Sequence, residues 1–154
     1  MEVPPPPPQM EVPPPPVIYN IGDQVEVIGH EDGFFDSYFE ATVVSLLDGG
    51  RYWVEYETLV EDDETGIPLK EAILPTNLRP APPRVNVRGE YKLDQMVNVF
   101  YNDGWWYGRV NGKILGYHAK GYTVHFSTYN ETLPFHCSCM RVHHDFIDGE
   151  WHRV

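Results

Sequence analysis

The chain has 154 residues, a net charge of −12 and an aromatic content of 14%. A protein that follows nucleic-acid phosphates normally carries the opposite charge, so direct nucleic-acid binding is not expected. No apolar run approaches the roughly 20 residues that cross a bilayer, and the N-terminus lacks the basic and apolar regions of a secretory signal. These totals favour one ordinary domain or two very small ones, with no membrane segment.

The acidic charge is concentrated in the first half of the chain. Residues 19–80 hold 14 acidic and 3 basic side chains, whereas residues 81–154 hold 7 acidic and 8 basic ones. A charged partner of the first half should therefore be a basic protein segment.

Residues 1–16 form a proline-rich segment that reads MEVPPPPPQ and then MEVPPPP. Proline fixes φ and removes a backbone donor, so we expect a disordered tail with polyproline II character and no core of its own. Such a tail acts as a semi-rigid spacer. The alternative is docking into an SH3- or WW-type groove, although no basic residue flanks the prolines.

From residue 17 onward the sequence predicts short strands. Apolar and polar residues alternate between turns rich in Gly, Pro and Asp. The predicted strands of the first half are 19–27, 39–44 and 51–56, with short elements at 67–74 and 78–80. Residues 61–64 form an acidic loop, and residues 84–88 are a linker or an extra strand.

The same order repeats in the second half. Segment 91–99 matches 19–27, segment 105–110 matches 38–43, and segment 122–126 matches 52–56. A duplication over roughly 60 residues, without a long helix, predicts an all-β fold of two small SH3-like barrels packed in tandem. The predicted units are 17–83 and 91–154, joined by a linker at 84–90.

The ordered motifs resemble a pair of Agenet domains, the plant branch of the Tudor-like group. In the first copy the resemblance rests on Gly22-Asp23, Gly33-Phe34, Ser37-Tyr38-Phe39 and Leu78-Arg79-Pro80. In the second copy it rests on Asp103-Gly104-Trp105-Trp106, on Tyr122-x-Val124-x-Phe126 and on the ending from Arg141 to Trp151. The resemblance covers about residues 18–154.

The resemblance implies a nuclear chromatin reader, not an enzyme, that acts in gene silencing or anti-silencing. Its expected ligand is the histone-3 N-terminal tail methylated at lysine 9, with dimethyl-lysine as the expected state. Tyr38 and Phe146 stand where the family usually has tryptophan. Because Tyr38 still supplies a ring, a cage survives the change, and the preferred methyl state stays open.

A methylated lysine keeps its charge while it loses N–H donors, and aromatic faces attract it by roughly 0.5–2 kcal/mol per ring. By analogy with Tudor-like barrels, we expect a methyl-lysine cage in the first copy, built from Phe34, Tyr38, Phe39 and Tyr56. The alternative is that Phe34 and Phe39 belong to the barrel core. The carboxylates expected to contact the peptide are Asp36, Glu57, Glu61, Asp62, Asp63 and Glu64.

The second copy is as rich in rings, but its charge is near zero. Its secondary candidates are Trp105, Trp106, Phe126 and Tyr129. We expect these rings to serve mainly in the core and between the barrels, where a tail lying in the groove would still touch them.

The sequence predicts no metal, no cofactor and no catalysis. His136, Cys137, Cys139, His143 and His144 resemble a metal cluster in composition, but they lack a standard zinc-ligand spacing. Two thiols without a disulfide framework suggest a reducing intracellular compartment. No phosphate-binding loop, nucleophile elbow or metal-binding helix motif is present.

Two alternatives to histone reading stay open. The acidic face would also suit methylarginine or an unmodified basic peptide, in which case the chain is a generic interaction module. An RNA-associated Tudor-like protein is the other alternative, against which the net charge argues. A further hypothesis is that His30 or His125 makes binding depend on pH between 5 and 8.

Overall fold

A computed structural model of the chain describes residues 2–6, 17–115 and 120–154. Most of the proline-rich segment therefore lies outside the described residues, and residues 2–6 are exposed without regular secondary structure. No helix of the described residues is long and apolar enough to cross a membrane.

The described residues form twelve strands. They also form three 3-10 turns, at Asp48–Gly50, Pro75–Asn77 and Cys137–Cys139. The strands of the first half are β1 (Gln24–Ile28), β2 (Ser37–Leu46), β3 (Tyr52–Val60), β4 (Pro68–Ile73) and β5 (Leu78–Pro80). Those of the second half are β6 (Met96–Tyr101), β7 (Gly104–Ile114), β8 (Gly121–Phe126), β9 (Glu131–His136) and β10 (Met140–Val142). A separate hairpin follows, formed by β11 (His144–Ile147) and β12 (Glu150–Arg153).

Strands β1–β5 and β6–β10 form two small antiparallel barrels, each around its own apolar cluster. The predicted all-β fold of two tandem SH3-like barrels is confirmed. Residues 84–88 form no strand, and Cys137 and Cys139 are free thiols in a 3-10 turn.

The two copies of the sequence repeat also make equivalent side-chain contacts. The rings of Tyr19 and Tyr52 pack edge to face at 5.5 Å, and those of Tyr91 and Tyr122 do the same at 5.5 Å. In each pair the first tyrosine's backbone N–H donates to the second tyrosine's hydroxyl, at 3.2 Å and 3.1 Å. Burial raises the pKa of Tyr19 and of Tyr91 to about 12, so both stay neutral.

The two barrels are joined through equivalent strands. Near its start β2 pairs antiparallel with β7, so that Tyr38 lies opposite Trp105 and Ser37 opposite Trp106. Trp106 packs against the apolar clusters of both barrels. At Gly104 a Cβ atom would lie 2.7 Å from the ring of Phe39, so close approach of the barrels requires glycine there.

We call the junction of the barrels at the β2–β7 pairing the seam. A buried ion network links the two barrels across this seam. The carboxylate of Glu26 accepts from Arg79 of the first barrel at 2.7 Å and from Arg141 of the second barrel at 2.7 Å. The two arginines occupy equivalent positions of the repeat, one on β5 and one on β10. Asn98 occupies in the second barrel the position that Glu26 has in the first, and accepts from Arg141 Nε at 3.0 Å. One carboxylate thus serves two guanidinium groups.

We predict that Glu26→Gln destabilises the chain by about 3–5 kcal/mol, because it leaves two largely buried guanidinium groups without their counter-charge. The measurement is urea-induced unfolding followed by circular dichroism. The matched control is Asp94→Asn, which breaks an exposed ion pair to Arg109 and should cost at most about 1 kcal/mol. Equal effects of the two changes would contradict the role given to Glu26.

Candidate functional site

The first barrel holds a pocket of about 290 Å³. Its rings are Phe34, Phe39 and Tyr56, and its carboxylates are Glu31 and Glu71. We call it the first-barrel pocket. His30 and several aliphatic residues of β1, β3 and β4 complete the lining.

The three rings stand at steep angles to one another. Phe34 and Phe39 are 6.0 Å apart at 63°, and Phe39 and Tyr56 are 6.5 Å apart at 87°. Phe39 and Tyr56 are each 5% exposed and belong to the barrel core, whereas Phe34 is 45% exposed. The pocket therefore consists of two core rings that reach its wall and one free ring at its rim.

Strand alternation decides which predicted rings meet. On β2, Phe39, Ala41 and Val43 point into the barrel, so Tyr38 points away from the pocket. The Arg79 guanidinium lies 3.4 Å from the centroid of the Tyr38 ring. The structure thus brings together Phe34, Phe39 and Tyr56 and places Tyr38 at the seam.

Trp105 repeats the placement of Tyr38. It is the equivalent residue of the second copy, and the Arg141 guanidinium lies 4.2 Å from its ring centroid. Its indole N–H donates to Glu40 at 3.0 Å. Tyr38 and Trp105 therefore cover the two arginines of the ion network by cation–π contact.

The two pocket carboxylates were missed by sequence reasoning. Glu71 lies on β4 between Leu69 and Ile73, both on the inward face. Every second residue of β4 faces inward, and a carboxylate among the apolar residues of such a face indicates a polar pocket. Burial, followed by the negative charges of Glu71 and Glu31, raises the pKa of Tyr56.

None of the six predicted peptide-contacting carboxylates lines this pocket. Glu57 is exposed and accepts from the Thr42 hydroxyl at 3.2 Å. The run from Glu61 to Glu64 forms an exposed turn between β3 and β4, just beyond the pocket residue Val60. Asp36 points towards the second barrel, where it accepts from the Thr128 hydroxyl.

The second barrel has a pocket of its own, of about 220 Å³. Its rings are Tyr101, Trp106, Phe126 and Tyr129, and its carboxylate is Glu131. We call it the second-barrel pocket. Phe126 and Trp106 pack in the core as expected, but Tyr129 is 36% exposed and Tyr101, which sequence reasoning missed, is 44% exposed.

A third cavity, of about 510 Å³, lies between the barrels and is lined along one side by residues 81–85. Its charged groups include Glu26, Glu40 and Arg141, which are already paired with one another or with Trp105. Arg84 also lines this cavity, which borders the ion network at Glu26 and Arg141.

The two histidines proposed as pH sensors lie in different places. His30 lines the first-barrel pocket, and its Nδ1 is 3.1 Å from the Ile28 carbonyl oxygen. A ring nitrogen of His125 lies 2.8 Å from the Thr132 hydroxyl on the neighbouring strand. Among the described residues, no three His, Cys, Asp or Glu side chains cluster closely enough to hold a metal ion.

The fold defines the class of protein to which the chain belongs: two Tudor-like barrels in tandem, each with an aromatic pocket. The Agenet domain family matches residues 22–83. Two solved structures superpose on nearly the whole chain. The crystal structure of Arabidopsis thaliana AGDP1 AGD34 has a TM-score of 0.77 and 32% identity, covering 87% of this chain and 88% of that one. The ADCP1 tandem Agenet domain 3-4 has a TM-score of 0.73 and 31% identity, covering 87% and 86%.

Two curated proteins of Arabidopsis thaliana are similar in sequence. Protein AGENET DOMAIN (AGD)-CONTAINING P1 is 35% identical over 133 residues, which are 86% of this chain and 25% of that protein. DUF724 domain-containing protein 6 is 30% identical over 136 residues, which are 86% and 19%. The chain belongs to the Agenet domain family, whose members are peptide-binding reader modules. It spans only about a quarter or less of the length of these two relatives.

His143 is buried at the seam, and its surroundings should make the free energy of unfolding depend on pH. Asn98 Nδ2 donates to its Nδ1 at 2.9 Å, so Nε2 carries the proton and donates to Asp145 at 2.7 Å. Burial lowers the pKa of His143, the nearby Asp145 partly opposes this, and Arg79 and Arg141 add to the lowering.

We predict that the free energy of unfolding falls as pH drops below about 6.5, the ordinary histidine value, because the unfolded chain then binds the proton more readily. His143→Gln should reduce this slope by up to about 1.4 kcal/mol per pH unit, the value for one proton. The measurement is urea unfolding of both chains between pH 5 and 7.5. Identical slopes would show that His143 does not contribute.

Proposed function

We propose that the chain is a nuclear chromatin reader that binds the histone-3 N-terminal tail dimethylated at lysine 9, with the methylated side chain in the first-barrel pocket. The observation that supports this most is the combination of three steeply angled rings with two carboxylates in one pocket. The choice of lysine 9 rests on the family resemblance.

The chemistry of the pocket suits a dimethylammonium group. Two methyl groups remove two N–H donors and leave one, so the ligand requires aromatic faces together with one acceptor. Phe34, Phe39 and Tyr56 supply the faces, and Glu71 or Glu31 supplies the acceptor. Three such rings with partly screened charge contacts indicate a micromolar dissociation constant, about −8 kcal/mol.

The surroundings of the pocket suit a basic tail. The exposed turn from Glu61 to Glu64 lies next to the pocket and carries four carboxylates. Such a field attracts lysine- and arginine-rich segments and raises their association rate more than their final affinity. An SH3- or WW-type partner of the proline-rich segment stays a prediction, since residues 7–16 lie outside the described residues.

The test compares calorimetric binding of histone-3 peptides carrying unmodified, mono-, di- or trimethylated lysine 9. The dimethylated peptide should bind best, and Phe34→Ala should weaken its binding by about 2- to 30-fold, the change expected when the cation–π attraction of one ring is lost. The matched control is Phe35→Ala, because Phe35 is equally exposed at 45% but does not line the pocket. If Phe35→Ala weakens binding as much as Phe34→Ala does, the pocket assignment is wrong.

Glu71→Gln separates the carboxylate from the rings. It should weaken binding of the dimethylated peptide more than that of the trimethylated one, because only the former has an N–H to donate. The same panel includes a peptide with dimethylarginine. Tighter binding of that peptide than of any methyl-lysine form would favour the generic interaction module.

A further inference from the structure

The rings of the second-barrel pocket form an angular cluster. Trp106 and Tyr129 have centroids 5.7 Å apart at 76°, and Tyr101 lines the same pocket. The indole N–H of Trp106 donates to the Tyr101 carbonyl oxygen at 2.6 Å, which fixes the orientation of the indole. The cluster is therefore held in place before any ligand arrives.

The exposure of these rings is not explained by packing alone. Tyr101 is 44% exposed and Tyr129 is 36% exposed, although both lie beside the second apolar cluster, which includes Phe126 and Leu133. Rings kept partly open to water around a concave site are typical of ligand-binding surfaces.

The charge of this pocket has one sign. Among the described residues, Glu131 is the charged one that lines it, and none of their lysines or arginines does. A carboxylate at the rim beside several aromatic rings favours a cation over an anion or a neutral apolar group.

A loop of the first barrel builds one wall of this pocket. Gly33 lines it, whereas the next residue, Phe34, lines the first-barrel pocket. The Tyr129 hydroxyl donates to the Phe35 carbonyl oxygen at 2.8 Å. Asp36 has a φ of +62°, and its carbonyl oxygen accepts a hydrogen bond from the backbone N–H of Tyr107 at 2.8 Å. The pocket is thus complete only when the two barrels are docked.

We propose that the second-barrel pocket is a second cation site, which takes a methylated lysine ammonium group independently of the first-barrel pocket. It has fewer carboxylates and more exposed rings than the first-barrel pocket. Its preferred ligand is therefore the trimethylammonium form, which has no N–H to donate. The proposal rests on the proposed function only in that both sites are filled from methylated basic segments.

The probe is Nα-acetyl-Nε-trimethyl-lysine methylamide, which carries no histone sequence. The readout is the indole N–H signal of Trp106 in ¹H–¹⁵N NMR spectra of the whole chain. The probe should shift this signal in the unaltered chain and equally in Phe34→Ala, because the ring removed by that change lines the first-barrel pocket and not the second. Tyr129→Ala should weaken the affinity measured in this titration about 2- to 30-fold, the change expected when the cation–π attraction of one ring is lost.

Tyr129→Phe is the variant that keeps the ring and removes only the hydroxyl that donates to Phe35. It should retain more affinity than Tyr129→Ala, and its unchanged NMR dispersion would show that the fold is intact. The uncharged isostere, with carbon in place of the ammonium nitrogen, should bind at least about tenfold more weakly if cation–π attraction is responsible.

Three results would overturn the proposal. The first is a Trp106 shift that disappears in Phe34→Ala, since the probe would then act through the first-barrel pocket. The second is equal binding of the uncharged isostere, and the third is tighter binding of N-methylguanidinium. Because the probe lacks a histone sequence, failure of the tail peptides would leave this titration unaffected.

Discussion

A single buried carboxylate holds two arginines that come from different barrels. Glu26 is 1% exposed and binds Arg79 and Arg141. Burying charges costs free energy that their attraction only partly offsets, so such a network is weak evidence for extra stability. Its clearer consequence is geometric, because the paired guanidinium groups fit one relative placement of the barrels. The second-barrel pocket depends on that placement, since Gly33 of the first barrel forms one of its walls.

The strands that build the pockets also build the seam. On β2 the inward Phe39 reaches the first-barrel pocket while its neighbour Tyr38 covers Arg79. On β7 Trp106 reaches the second-barrel pocket while its neighbour Trp105 covers Arg141. Alternation along a strand therefore gives each adjacent pair of rings two different roles. A one-residue change of register would exchange these roles and disrupt both features.

Much of the fold could be predicted from the sequence because the signals were local or repeated. Period-two alternation located the strands, and the tyrosine pairs matched between the copies. The positions of Phe34, Phe39 and Tyr56 in one pocket also followed from strand ends and family resemblance. The ion network could not be predicted, because it joins Glu26, Arg79 and Arg141 across 115 positions of sequence. The face of β2 on which Tyr38 lies can be predicted only from the register of the strand. The composition of the ring cluster does not reveal that register.

The most direct measurement of the central claim is a crystal structure of the chain with a histone-3 peptide dimethylated at lysine 9. The account predicts the dimethylammonium group among Phe34, Phe39 and Tyr56, with its remaining N–H bonded to Glu71 or Glu31. It also predicts that Glu26 still joins Arg79 and Arg141 in the complex. A peptide bound with lysine 9 outside the first-barrel pocket, or with the barrels rotated and the ion network broken, would contradict it.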